Sequence, residues 1–249
     1  TEKGVYVGNV AGENSLSVAE YAVMLILASC RHINIAHNKL VQQNIWMKST
    51  LRDSCCEVSG KRVGIVGFGN IGKKVAKLLQ GFECDLIYYD IYPMNESDEK
   101  MLGVKYSELD ELVSTADIIS LHAPLNSHTF HMIDSRRLSM MKDNAVLVNT
   151  GRGGLIDEAA LLNVLKKGKL LAVALDVHEH EPVLENDPLK EFERVILSPH
   201  TGAGTRESMS RVIGQAFVNI NSLLEKGRIE NKNNIVNWNS IEDKGGYNE

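Results

Sequence analysis

The chain has 249 residues, 43% of them hydrophobic and 24% charged, with a formal net charge of −5. That hydrophobic share excludes a disordered chain, and the acidic balance argues against a nucleic-acid binder, which needs a basic face. The longest apolar run, Val18 to Ala28, is too short to span a bilayer, so no membrane role is expected. Four cysteines, Cys30, Cys55, Cys56 and Cys84, form neither a Cys-x-x-Cys pair nor a disulfide-dense framework. A reducing, cytoplasmic compartment is expected. The first residue is Thr1, with no signal peptide before it, and the chain is expected to be cut from something longer.

Residues 15–33, SLSVAEYAVMLILASCRHI, read as a helix, with Ser17 and Glu20 as a capping-box pair. It is apolar nearly all round, so it should be buried on several sides, inside one core or at a subunit interface. Residues 34–60 are polar and read as further helix and loop, with Trp46 as an anchor. From residue 61 short β-branched runs alternate with helical patterns. The strands are expected at 62–67, 85–90, 117–122, 144–150, 170–177 and 194–199, and the helices at 71–80, 107–115, 134–142 and 157–167. Strand–helix–strand repetition with near-continuous apolar strands predicts a doubly wound parallel sheet of the α/β class, covered by helices on both faces.

VGIVGFGNIGKKVAKLL contains Gly67-Phe68-Gly69-Asn70-Ile71-Gly72. A lone Gly-x-Gly-x-x-Gly is a weak signal, but this one follows a strand, opens a helix and lies in a βαβ unit of about 30 residues. Gly67 permits the tight turn, Gly69 lets the backbone approach a pyrophosphate, and Gly72 lets the helix pack on the strand. The anion would rest on free N–H groups at the positive helix end. Asp90 ends the next strand at about the spacing of ~20 residues expected of an acid that binds ribose hydroxyls. A carboxylate there repels a 2′-phosphate, so NAD is expected rather than NADP.

A dinucleotide site calls for a hydride partner and a proton donor, and ligands of open α/β sheets bind beyond the carboxyl ends of the strands. Arg152, Glu181 and His200 each follow a predicted strand on that edge. A guanidinium can hold a carboxylate in two parallel hydrogen bonds. An imidazole can give a proton to a carbonyl oxygen near neutral pH, and a carboxylate beside it fixes its tautomer. Asp176, at a strand end, should face the nicotinamide end of the cofactor. Around it, DVHEHEP alternates His178, Glu179, His180 and Glu181. Both histidines would fall on one side of a strand, which is compatible with ligation, but no Cys cluster or other His-rich loop supplies a third ligand. A solvated loop with one functional carboxylate, and no metal, is the expectation. His122, before Ala-Pro, is read as structural or at the cofactor's edge.

GFGNIG, Asp90, LHAPL, NTGRGGLID, ALDVHEHEP and LSPHTGAGTRES, in that order, closely resemble the D-isomer-specific 2-hydroxyacid dehydrogenases over about residues 4 to 238. The resemblance implies a Rossmann-type domain and an NAD-dependent oxidoreductase that interconverts a 2-oxo acid and a D-2-hydroxy acid. It implies Arg152, Glu181 and His200 as the catalytic residues and Asp176 on the nicotinamide side. Cofactor contacts would include Asn70, Ile71, Asp90, Ala123, Pro124, Thr150, Gly151 and the stretch from His200 through Gly202 to Ala203. The small-molecule acid is then the partner, together with a second copy of the chain that docks at 15–33 as a homodimer.

The organisation it implies is a remnant of a substrate domain at 1–14, the NAD-binding domain at 15–205, a C-terminal helix at 206–238 that returns towards the substrate domain, and a polar tail at 239–249. Family members begin with a substrate domain of about a hundred residues, and most of it is missing here. Two alternatives stay open: a non-catalytic NAD(H)-binding or sensing module, and an inactive truncated fragment of such a dehydrogenase. A short-chain dehydrogenase would need a Tyr-x-x-x-Lys pair, which does not follow the nucleotide fold.

Overall fold

Seven short runs of β-branched and aliphatic residues pair in parallel, and their order follows from the helices between them. The computed structural model describes residue 5, residues 7–226, residue 231 and residues 234–237. The polar tail expected at 239–249 lies outside the described residues. The chain divides into two units, one of residues 18–202 and one of residues 1–17 with 203–249.

In the larger unit the strands are β1 (Arg62–Val66), β2 (Asp85–Tyr89), β3 (Val104–Tyr106), β4 (Ile118–Leu121), β5 (Val146–Asn149), β6 (Ala172–Leu175) and β7 (Val195–Leu197). They form one sheet in the order β3-β2-β1-β4-β5-β6-β7, and every pairing is parallel. The order reverses between β1 and β4, the switch point where a doubly wound sheet opens a crevice. The expected doubly wound α/β class is the observed one.

The central strands feed both faces. Leu147 turns to one core, with Leu112, Leu138, Leu161 and Val173. Val146 and Val148 turn to the other, with Ile26, Val63, Ile65, Val75 and Leu79. The first layer is built by α5 (Leu109–Thr115), α6 (Ser135–Met140) and α7 (Glu158–Lys166), and the second by α1 (Ser15–Arg31) and α3 (Asn70–Leu79). Burial of each such side chain contributes about 1.5–3 kcal/mol, so it is the two-faced sheet that holds the unit together.

Several elements differ from expectation. The helix at 15–33 ends at Arg31; His32 takes a left-handed conformation with φ of 46°, and a second helix, α2 (Ile33–Gln43), leaves at 65°. This second helix is part of the further helix and loop expected over 34–60. The capping box is corrected too. The helix starts at Ser15, ahead of Ser17, whose hydroxyl lies 2.8 Å from that of Thr205. Trp46 anchors nothing, since it is 76% exposed. The short strand β3 and the helix before it, α4 (Glu96–Leu102), had no expectation; the helix is capped by Asn95, which accepts the Asp98 N–H, and closed by Gly103 at φ of 61°. No single helix among the described residues is long and apolar enough to cross a membrane.

The smaller unit holds α8 (Arg206–Lys226). The helix expected over 206–238 is thus described only to Lys226, and residues 234–237 are not α-helical. Instead Ile235 bridges Gly8 in an antiparallel pair, with Asn9 N–H donating to the Asn234 carbonyl at 2.7 Å. Buried Asn219 donates to the Asn9 carbonyl and accepts from Asn234, which satisfies the polar groups that would otherwise stop the strand-like pair from being covered.

Candidate active site

The glycine-rich turn leaves β1 at its carboxyl end. Gly67 has φ of 89°, and a side chain there would overlap the backbone of His122 and Ala123, where β4 ends. The two strands at the switch point are thereby in backbone contact. A Cβ at Gly72 would overlap the Gly67 carbonyl, so α3 packs directly on the turn. At Gly69 a Cβ would meet nothing within 4 Å; that face of the turn is open.

Hydrogen bonding within α3 begins with Lys73 N–H to the Gly69 carbonyl, and Gly69 supplies no side-chain cap. The amides of Asn70, Ile71 and Gly72 are therefore not used by the helix, and the positive end of its dipole is presented to the crevice. Asp90 is half-buried and fixed across the turn. One carboxylate oxygen accepts Phe68 N–H at 2.7 Å, the other Tyr92 N–H at 3.0 Å. The neighbouring Ile91 and Tyr92 are exposed and uncharged. An open anion-binding helix end beside an oriented carboxylate fits a dinucleotide with a free 2′-hydroxyl.

Further along the edge, Ala123 and Thr150 are buried, Pro124 is exposed, and Gly151 N–H donates to Asn149 Oδ1 at 3.0 Å. His122 sits between Ser120 and Thr150, with ring nitrogens 2.9 and 3.2 Å from their hydroxyls. Burial pushes its pKa down to about 3, so it stays neutral and donates no proton to a substrate at working pH.

The structure brings two of the three catalytic candidates together. His200 Nδ1 lies 2.8 Å from Glu181 Oε2, across the ends of β7 and β6. Both are partly exposed, His200 by 48% and Glu181 by 39% of the side chain. Burial raises the Glu181 carboxyl, but hydrogen bonds from His200 and from the His178 amide outweigh that and hold it below its usual range. His200 itself is left-handed, with φ of 54°, an unusual conformation for a residue with a Cβ. The third candidate, Arg152, is exposed on the same edge and donates from Nη1 to the Gly151 carbonyl at 2.6 Å.

Asn149, to which nothing in the sequence pointed, joins Asp176 in building this corner. Buried Asn149 ties the Arg152 turn: it accepts Gly151 N–H and donates to the Arg152 carbonyl at 2.9 Å. Asp176, 2% exposed, accepts Ser198 Oγ and Thr201 N–H on one oxygen and Gly202 N–H on the other, at 2.7, 2.9 and 2.8 Å. Its carboxylate thus holds the segment that carries His200. Ala203, the last of the expected cofactor contacts, falls in the smaller unit.

The solvated-loop reading of residues 178–180 needs correction. His178 is buried, and Glu179 makes a reciprocal clasp with α7: Glu179 N–H donates to Glu158 Oε1 at 3.0 Å, and Glu158 N–H to Glu179 Oε1 at 3.4 Å. Glu179 Oε1 also lies 2.6 Å from His131 Nε2. Only His180 of the three faces solvent. A polar residue following the continuous apolar run 170–175 was the only sign available in the sequence. Among the described residues no three His, Cys, Asp or Glu side chains converge as metal ligands.

The comparisons with known proteins meet this geometry. The family model described as D-isomer specific 2-hydroxyacid dehydrogenase, NAD binding domain, matches residues 23–202. The chain is 42% identical over 213 residues to a hydroxypyruvate reductase of Thermotoga maritima, covering 85% of this chain and 67% of that one. It is 37% identical over 227 residues to a glyoxylate reductase of Thermofilum pendens, covering 90% and 67%. Among solved structures it resembles an Aquifex aeolicus D-lactate dehydrogenase complexed with NAD and lactic acid, with a TM-score of 0.84 at 30% identity, over 94% of this chain and 74% of that one. It therefore spans about two thirds of the length of the curated relatives named here. The chain belongs to the D-isomer-specific 2-hydroxyacid dehydrogenase family and carries that family's NAD-binding domain.

Proposed function

We propose that this chain carries the cofactor and acid–base machinery of an NAD-dependent enzyme that interconverts a small 2-oxo acid and its D-2-hydroxy acid. The observation that carries the reading is the 2.8 Å hydrogen bond between His200 Nδ1 and Glu181 Oε2 at the carboxyl edge of the sheet. A carboxylate can only accept, so it fixes the proton on Nδ1 and turns Nε2 towards the crevice. When bound, the cofactor supplies or takes up the hydride.

The protein's own steps are proton and charge handling. His200 gives the proton on Nε2 to the developing alkoxide during reduction and takes it back in oxidation, while ionised Glu181 stabilises the imidazolium. Arg152 holds the substrate carboxylate; its turn is braced by Asn149, so the guanidinium extends from a fixed base. Asp90 orients the ribose and Asp176 holds the 198–202 segment against the nicotinamide side. Glyoxylate and hydroxypyruvate, named in the relatives, are the first substrates to try.

We also infer a cytoplasmic homodimer. In one copy α2 buries no residue, and a groove of about 1330 Å³ beside it is lined by Met24, Leu27, Leu40, Ile45, Trp46 and Leu51. A helix with no buried face is marginal by itself, so a second copy is the natural cover. The four cysteines are free thiols, as a reducing compartment requires. Sedimentation of wild type and Trp46→Asp tests this: a dimer that the substitution dissociates is expected, and a wild-type monomer with NADH bound would end the idea.

The catalytic assignment is tested by His200→Ala. NADH oxidation with glyoxylate at neutral pH should fall by about 10²–10⁴-fold with NADH binding nearly unchanged. Turnover that survives would remove His200 from the mechanism.

A further inference from the structure

Three strand-end segments meet at His178, which is 6% exposed. A Cβ at Gly153 would overlap the His178 carbonyl, so the turn that carries Arg152 packs directly on the His178 backbone. The His178 amide N–H donates to Glu181 Oε1 at 3.1 Å. Its ring Nε2 lies 2.9 Å from the carbonyl of Ser198, two residues before His200.

The tautomer follows from the partner. A carbonyl oxygen can only accept, so Nε2 bears the proton. Nδ1 is buried with no hydrogen-bond partner. One directed bond sets the orientation of this ring.

The Glu181–His200 pair is too exposed to hold its own geometry. Ion pairs with that much solvent contribute roughly 0–1 kcal/mol, so the spacing between the two segments must come from buried neighbours. Asp176 anchors residues 198–202, but it lies five residues before Glu181. Glu179 anchors the loop to α7 and His131, on its other side. Between the loop after β6 and the residues after β7, the His200 N–H fixes its own end by donating to the Asp176 carbonyl at 2.8 Å, and the bond from the His178 ring is the side-chain tie nearest Glu181 along the chain.

We propose that the His178 imidazole is a positioning residue for the acid–base pair: by donating from Nε2 to the Ser198 carbonyl, it sets the distance across which Glu181 and His200 hydrogen-bond. This rests on the reading of that pair given above. The reacting atoms are not touched by His178; it acts through the two residues it spaces.

The test uses the chain labelled with ¹⁵N-histidine. His178→Phe keeps a ring and removes the donor, and His178→Gln keeps an N–H near the position of Nε2. In wild type the His178 proton should sit on Nε2, and His200 Nδ1–H should be protected by Glu181. In His178→Phe that proton should exchange with water about tenfold faster, the scale of one lost hydrogen bond, while NADH binding persists. His178→Gln should recover most of the protection. Equal protection in wild type and His178→Phe, equal loss in both variants, or a His178 proton on Nδ1 would each overturn the proposal. Should His178→Phe fail to fold, the wild-type tautomer and His178→Gln still decide it. The acid–base reading is judged separately by turnover of His200→Ala, which leaves the His178 tautomer unaffected.

Discussion

The nucleotide cradle is one stretch of chain, residues 62–90, shaped by glycine backbone and one helix end. The acid–base corner draws on residues 149–153, 176–181 and 198–202, held by Asn149, Asp176 and His178 side chains. Both stand on the carboxyl edge of one sheet. The cradle is shaped by close backbone contacts at glycines, within this stretch and against the end of β4. The corner is built by buried polar side chains that cross between strands, so its geometry depends on the packed sheet. Damage should separate accordingly: cradle variants lose cofactor, corner variants lose chemistry.

The largest expected effect is in the cradle. Gly72→Val places a side chain into the Gly67 carbonyl and should cost about 3 kcal/mol of stability, with NADH binding lost. Chemical denaturation with and without NADH measures both. A variant that kept wild-type affinity would break the claim that this turn is shaped by close backbone contact.

A smaller effect is expected in the corner. Glu181→Gln should lower turnover roughly 10- to 100-fold at neutral pH with NADH affinity unchanged. The sign of its pH dependence follows from the carboxyl being held below its usual value of 4.5. Such a group stabilises the fold above its unfolded pKa and loses that contribution as pH falls through the folded one. Wild type should therefore lose some stability on the acid side of 4.5 that Glu181→Gln does not, and parallel acid melts of the two would contradict the ion pair.

The smallest effect lies outside both regions. Asp110 at the start of α5 takes both Arg136 and Arg137 of α6, and those hydrogen bonds lower its pKa to about 2. It is 45% exposed, so Asp110→Asn should cost only a few tenths of a kcal/mol to about 1 kcal/mol, without touching NADH binding or turnover. A large loss of either would mean that α5 and α6 support the site more directly than their packing implies.

How far each region could be read in advance follows the same division. Gly67, Gly69, Gly72 and Asp90 were legible because a turn, a helix start and a strand end at fixed spacing leave few other structures. Arg152, Glu181 and His200 were legible as residues just past strand ends, which names an edge without giving distances. His178 was misread: alternating His and Glu is polar by composition, and burial there is decided by what Gly153 and Ser198 bring to it. Trp46 was misread in the opposite sense, since an aromatic residue gives no local sign of whether its own chain or another will cover it.

The sequence by itself determined the sheet class, the cradle and the family, because periodicity, glycine spacing and motif order are properties of neighbours along the chain. Tertiary structure alone decided the break of the first helix at His32, the pairing of Glu181 with His200, and the tautomer of His178. Each depends on a partner 19 or 20 residues away or on burial by another segment. Hydrogen-bond direction and solvent exclusion exist only once those segments are packed together.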